Sequence, residues 1–156
     1  MNWAKLLASV AACQLAGAVG AIFTRSAIPS WYAALKKPWF TPPGWLFGPA
    51  WITLYLLMAV AAFLVWRKGL AHPGARAALA VFVLQLLLNA LWSPVFFGLR
   101  SPLAGAAGII LLWLAICLSL VLFWKISQAA ALLLIPYLLW VTYASALNIS
   151  IYFLNR

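Results

Sequence analysis

Charge and apolarity alternate along this chain in long blocks rather than residue by residue. All ten Lys and Arg residues fall outside five apolar stretches, at 6–24, 45–66, 77–97, 103–124 and 129–154. These stretches run to 19, 22, 21, 22 and 26 residues. A helix rises about 1.5 Å per residue and a hydrocarbon core is about 30 Å thick, so each stretch is long enough to cross it. An unbroken helix also satisfies its own backbone groups inside lipid, which an open strand does not. The pattern predicts an all-α integral membrane protein, one domain over 1–156 built as a bundle of five transmembrane helices.

The first stretch has some marks of a signal peptide: Lys5, an apolar run and small residues. Yet Ala8, Ala12, Ala16 and Gly20 recur every four residues, giving a small face that another helix can approach closely. That face favours a permanent span. Ala104 and Gly108 give the fourth stretch a second small face. Both faces suit either packing within one bundle or a homodimer.

The connections at 67–76, 98–102 and 125–128 are short, and predict sequential helices that are antiparallel neighbours. The connection at 25–44 has 20 residues and is both basic (Arg25, Lys36, Lys37) and sticky (Trp31, Tyr32, Leu35, Trp39, Phe40). Ser30 is a candidate N-cap for a short helix starting at Trp31. That helix should stop near Lys36, since the residue before Pro38 is biased out of the α region. An ordered loop this long is usually a lid or binding loop, and its aromatics equally suit an interfacial belt. Pro94 and Pro136 interrupt the third and fifth stretches and predict local bends. Lys and Arg divide five to five between the two sides of a five-span chain, which leaves the orientation open.

Composition sharpens this picture by exclusion. The chain is 69% hydrophobic and contains no Asp or Glu. Paired carboxylates for acid–base catalysis, acidic proton relays and the usual oxygen ligands of Mg²⁺ or Ca²⁺ are therefore excluded. The net charge of +10 is scattered between apolar runs. It suits contact with anionic lipid head groups, and no basic stripe or reading motif points to nucleic acid. Cys13 and Cys117 lie inside apolar runs, and His72 in a His-Pro-Gly turn, so no metal site is expected. No repeat, P-loop or dinucleotide fingerprint calls for a transporter duplication or a cofactor.

Three stripes at helical spacing carry the candidate chemistry. They are Trp51, Tyr55 and Met58; Gln85, Asn89, Trp92 and Phe96; and Trp140, Ala144 and Asn148. Amides inside a bilayer face the bundle interior or a cavity. The stripes can face one another, enclosing a space walled by indoles with a few polar points, the general form of a small-molecule site. The alternative is plain helix packing, with each Asn pinning neighbouring helices. Leu147, Tyr152 and Arg156 also fit a weak sterol-contact pattern.

Three blocks together resemble a known family. The first runs Trp31-Tyr32-x-x-Leu35-x-Lys37-Pro38-Trp39-x-x-Pro42-Pro43, continuing to Gly48-Pro49-x-Trp51. The second is Asn89-x-x-Trp92-x-Pro94-x-Phe96-Phe97-Gly98. The third is Pro136-Tyr137-x-x-Trp140-x-x-x-Ala144-x-x-Leu147-Asn148. In this order and spacing they resemble the tryptophan-rich sensory protein (TspO/MBR) family, which includes the mitochondrial benzodiazepine receptor. The resemblance implies a five-helix bundle, often homodimeric, in a membrane that for a bacterial owner is the cell membrane. It implies a receptor or sensor binding protoporphyrin IX, related tetrapyrroles or cholesterol in a pocket under the first loop. The residues expected at that pocket are Trp31, Trp39, Trp51, Tyr55, Asn89, Trp92, Trp140, Ala144, Leu147 and Asn148. Two other functions stay open: light-dependent porphyrin degradation, with Trp51 and Trp140 as the reactive pair, and transport of tetrapyrroles or sterols. Many relatives carry some acidic residues and this chain has none, which puts carboxylate-dependent roles in doubt.

Overall fold

The computed structural model describes residues 2–156, and five long helices account for most of them. They are α1 (Trp3–Ala27), α2 (Phe47–Trp66), α3 (Ala75–Ser93), α4 (Pro102–Trp124) and α5 (Gln128–Leu154). All five are long and apolar enough to cross a membrane. Their ends lie up to four residues from those of the apolar stretches. The last two helices start where local chemistry places them. Ser101 and Ser127 cap α4 and α5, their hydroxyls accepting from the amides of Ala104 and Ala130. Pro102 then occupies the first turn of α4, where its missing N–H costs nothing.

The helices close into a ring in the order α1, α2, α5, α4, α3 and back to α1, with α4–α5 the largest interface. This corrects one expectation. Sequential helices are not all neighbours: α2 and α3 touch only marginally. At the end of α2, where the connection to α3 begins, Lys5 Nζ of α1 donates to the Trp66 carbonyl at 3.2 Å.

The expected Ser30 cap is also corrected. Helix α1 does not end before Ser30 but continues as a wider, π-type turn over Ile28–Tyr32. The Ser30 hydroxyl donates back to the Ser26 carbonyl at 2.8 Å, so it caps nothing. Pro29 opens this turn, because it has no N–H for the α ladder. Pro94 does the same after α3, giving a second wide turn over Pro94–Gly98. The two turns pack on each other. Trp31 and Tyr32 meet Phe96 and Phe97 edge-on, with ring centroids 5.3–6.5 Å apart. This aromatic knot forms its own small core beside the first loop.

The other end of the bundle is packed solid. Small side chains on α2, α3 and α5 (Ala59, Ala61, Ala62, Ala78, Ala130, Ala131) let the helices approach closely, and Phe82 stacks on Phe123 at 5.6 Å. The small face of α1 splits in two. Ala16 and Gly20 are buried, while Ala8 and Ala12 are exposed. On α4 the close approach is made by Gly105, between the half-buried Ala104 and Gly108. A Cβ built on Gly105 would strike the Phe96 ring and come within 3.0 Å of Asn148 Oδ1. Phe96 cannot yield easily, since it is stacked flat on Trp92 at 5.2 Å. Gly105→Ala should therefore lower stability by about 1–3 kcal/mol through overpacking. The check is its melting temperature in detergent micelles against that of Gly48→Ala, where the added Cβ meets nothing within 4 Å; an equal melting temperature for the two variants would contradict the packing described.

Candidate ligand cavity

Beside the first loop the bundle is hollow. A cavity of about 510 Å³ is lined by residues of all five helices and the start of the loop. That lies within the range of small-molecule sites. Its walls are mostly indole and phenyl rings. Trp51 and Trp140 stand 6.4 Å apart with their planes near perpendicular. Trp51 stacks on Tyr55 at 5.5 Å, and Trp92 on Phe96. Gly17, Gly20, Gly48 and Ala144 also line it, and their small size leaves room beside the rings.

At its floor lies a chain of buried polar groups. The Tyr55 hydroxyl donates to Asn89 Oδ1, Asn89 Nδ2 donates to the Tyr137 hydroxyl at 2.7 Å, and that hydroxyl donates to Gln85 Oε1 at 3.0 Å. All four residues are buried. In a chain without carboxylates these neutral groups must satisfy one another, and in doing so they tie α2, α3 and α5 together. The hydroxyls of Ser9, Thr24, Ser119 and Ser145 satisfy themselves on carbonyls one turn back. Among the described residues, two buried side-chain atoms have no hydrogen-bond partner: Gln85 Nε2 and Asn148 Oδ1. Asn148 Nδ2 reaches the Ala144 carbonyl at 3.4 Å, which turns Oδ1 toward the bare backbone of Gly105.

The structure brings eight of the ten expected pocket residues to this cavity: Trp51, Tyr55, Asn89, Trp92, Trp140, Ala144, Leu147 and Asn148. Trp31 does not line it but braces the wall through Phe96 and Phe97. Trp39 lies well away, 96% exposed, because Pro38–Thr41 forms a turn with Trp39 at its corner. An indole placed there suits the membrane interface. The three residues of the sterol pattern separate. Leu147 is buried against the cavity, whereas Tyr152 and Arg156 do not line it, and Arg156 lies over the Phe153 ring. Gln85 also lies off the cavity, one link down the polar chain.

Sequence reasoning missed most of the α1 wall: Gln14, Gly17, Ala18, Ala21 and Thr24. Of the α1 residues singled out from the sequence, Gly20 was read as part of a packing face and Arg25 as a cation of the loop, and both line the cavity. Tyr137 was seen only as part of a block, although it holds the centre of the polar chain.

These features define a helical membrane protein with an aromatic-walled internal cavity. Its sequence places it more narrowly. The chain belongs to the TspO/MBR family, whose sequence model matches residues 9–154. It is 47% identical to Tryptophan-rich protein TspO of Archaeoglobus fulgidus, over 99% of both chains. It is 44% identical to Protein CrtK of Rhodobacter capsulatus, over 92% of this chain and 88% of that one. Identity to human Translocator protein is 35%, over 94% of this chain and 87% of that one. The protein is thus an integral membrane protein of the TspO type.

The polar chain predicts a specific sensitivity. Tyr137→Phe removes one hydroxyl and leaves both Asn89 Nδ2 and Gln85 Oε1 without their partners. The expected cost is about 1–2 kcal/mol. Thermal unfolding in detergent should show it, whereas Tyr152→Phe, outside the chain, should leave the midpoint unchanged.

Proposed function

We propose that this protein is a membrane receptor or sensor that holds a flat, largely apolar ring, of the tetrapyrrole class, against the corner formed by Trp51 and Trp140. The observation that carries this reading is the indole pair itself, with Ala144 leaving room beside it. A macrocycle can lie flat on one indole while the other meets it edge-on, and both arrangements are favourable for π systems. Trp92 and Phe96 extend the aromatic wall, and the buried polar chain supplies a rigid floor. The exposed residues Ala8 and Ala12 of α1 are the part of its small face left for a second copy of the chain in a homodimer.

Protoporphyrin IX is the natural probe. Titrated in the dark into detergent-purified protein, it should quench tryptophan fluorescence saturably. Ala144→Phe, which fills the space beside the indoles, should weaken binding by about tenfold or more while the protein still folds. Absence of saturable quenching by the unaltered protein would end the reading.

The same pair favours a second reading, in which dioxygen oxidises the bound porphyrin under light and the indoles beside the ring take part. Replacing both Trp51 and Trp140 by Phe should then abolish light-dependent loss of the porphyrin absorption band. Loss at the unaltered rate would remove this reading.

A further inference from the structure

The residues lining the cavity differ in exposure from helix to helix. Those on α3, α4 and α5 are buried or half-buried. The exposed ones are Ala18, Ala21 and Arg25 on α1, Gly48 and Ile52 on α2, and Gly44 just before α2. The cavity therefore opens sideways, through a slot between α1 and α2. The slot is bordered mainly by small residues, and a Cβ built on Gly44 or Gly48 meets nothing within 4 Å.

The first loop, in contrast, is fastened. Asn155 accepts from the Lys36 amide at 3.0 Å and donates to the Lys36 carbonyl at 2.9 Å. The Tyr143 hydroxyl donates to the Phe40 carbonyl at 2.6 Å. Raising this loop would break all three bonds, whereas the slot is already open.

Arg25 stands at the rim of the slot and lines the cavity. The chain holds no side-chain carboxylate to pair with it. The other two cations of this region do not line the cavity. Lys37 donates to the carbonyls of Ala33 and Leu35 and sits 5.0 Å above the Tyr32 ring. The Lys36 backbone is held by Asn155. A guanidinium between lipid and an apolar cavity is suited to a carboxylate or phosphate, which it can grip with two parallel bonds.

We infer that the cavity takes anionic amphiphiles from the side: the apolar body slides in from the hydrocarbon layer between α1 and α2, and its acid group stays at the rim on Arg25. This deepens the reading of the cavity as a ring-binding site and rests on it. The anion has two sources, a carboxylate of the ligand or a phosphate of a neighbouring lipid, with one chemistry.

The test compares protoporphyrin IX with its dimethyl ester, which keeps the macrocycle and lacks the acids. Both are titrated into the full chain in nanodiscs of neutral phosphatidylcholine. Arg25→Gln should weaken the diacid by about tenfold or more and leave the ester within about twofold, and Arg25→Lys should restore part of the loss. An unchanged diacid affinity, or equal losses for diacid and ester, would overturn the role of Arg25. The route is read from rates measured with the ester. Gly48→Phe should slow association and dissociation together, because a bulky side chain at the doorway obstructs passage in both directions. Asn155→Ala, which unfastens the loop, should leave both rates as they were. Faster entry in Asn155→Ala with no slowing in Gly48→Phe would place the doorway at the loop instead. Repeating the diacid titration with phosphatidylglycerol in the nanodisc separates the sources. Competition lost in Arg25→Gln assigns lipid phosphate to the same site, and competition equal in both proteins assigns the site to the ligand's own acid. If neither porphyrin binds the unaltered protein, the ring-binding reading itself fails, which is distinct from any result above.

Discussion

A run of neutral hydrogen bonds from Tyr55 through Asn89 and Tyr137 to Gln85 underlies the rest of this structure. Lipid does not drive apolar helices together as water does, so packing and interhelical hydrogen bonds must fix the bundle. Here three helices are fixed at one level. Below it the interior is filled by alanines and the Phe82–Phe123 stack. Above it the same helices stand around a hollow. The complete absence of Asp and Glu makes this arrangement economical: no buried charge needs a partner, and two hydroxyls and two amides suffice to brace the floor.

The hollow persists because its walls are stiff. Proline produces the stiffness twice in the same way. Pro29 and Pro94 each remove an amide from the ladder, each widens the helix into a π-type turn, and the two turns interlock through Trp31, Tyr32, Phe96 and Phe97. Wide turns of this kind are frequent at functional sites. Here they redirect aromatic side chains so that Phe96 can lie flat on Trp92 and form part of the wall. Each ring of the wall is held by another ring. Side chains held in this way have little conformational freedom left to lose.

Much of this was legible in the sequence. Charge-free runs of about membrane thickness gave the five spans, and helical spacing brought the Trp51, Asn89 and Trp140 stripes toward one centre. What was not legible depended on three-dimensional context. Alternating spans say nothing about ring order, so the separation of α2 from α3 could not be read. Ser30 has the chemistry of a cap, but a helix that runs on through Pro29 leaves it no free amides to cap. Trp39 belongs to the same aromatic block as Trp31, yet one tight turn sends it outward. Glycine and alanine on α1 are equally compatible with close packing and with an open wall, and they serve as both. Gly20 is buried while Ala18 and Ala21 border the slot.

The ring proposed for the cavity lies against both Trp51 and Trp140. The most direct measurement follows the ten indole N–H signals by NMR while protoporphyrin IX is added in the dark. A bound macrocycle shifts nearby protons strongly through its ring current. Large shifts are expected for Trp51 and Trp140, a smaller one for Trp92, and none for the outward-facing Trp3, Trp39 and Trp45. Shifts confined to those exposed indoles, with Trp51 and Trp140 unmoved, would contradict it.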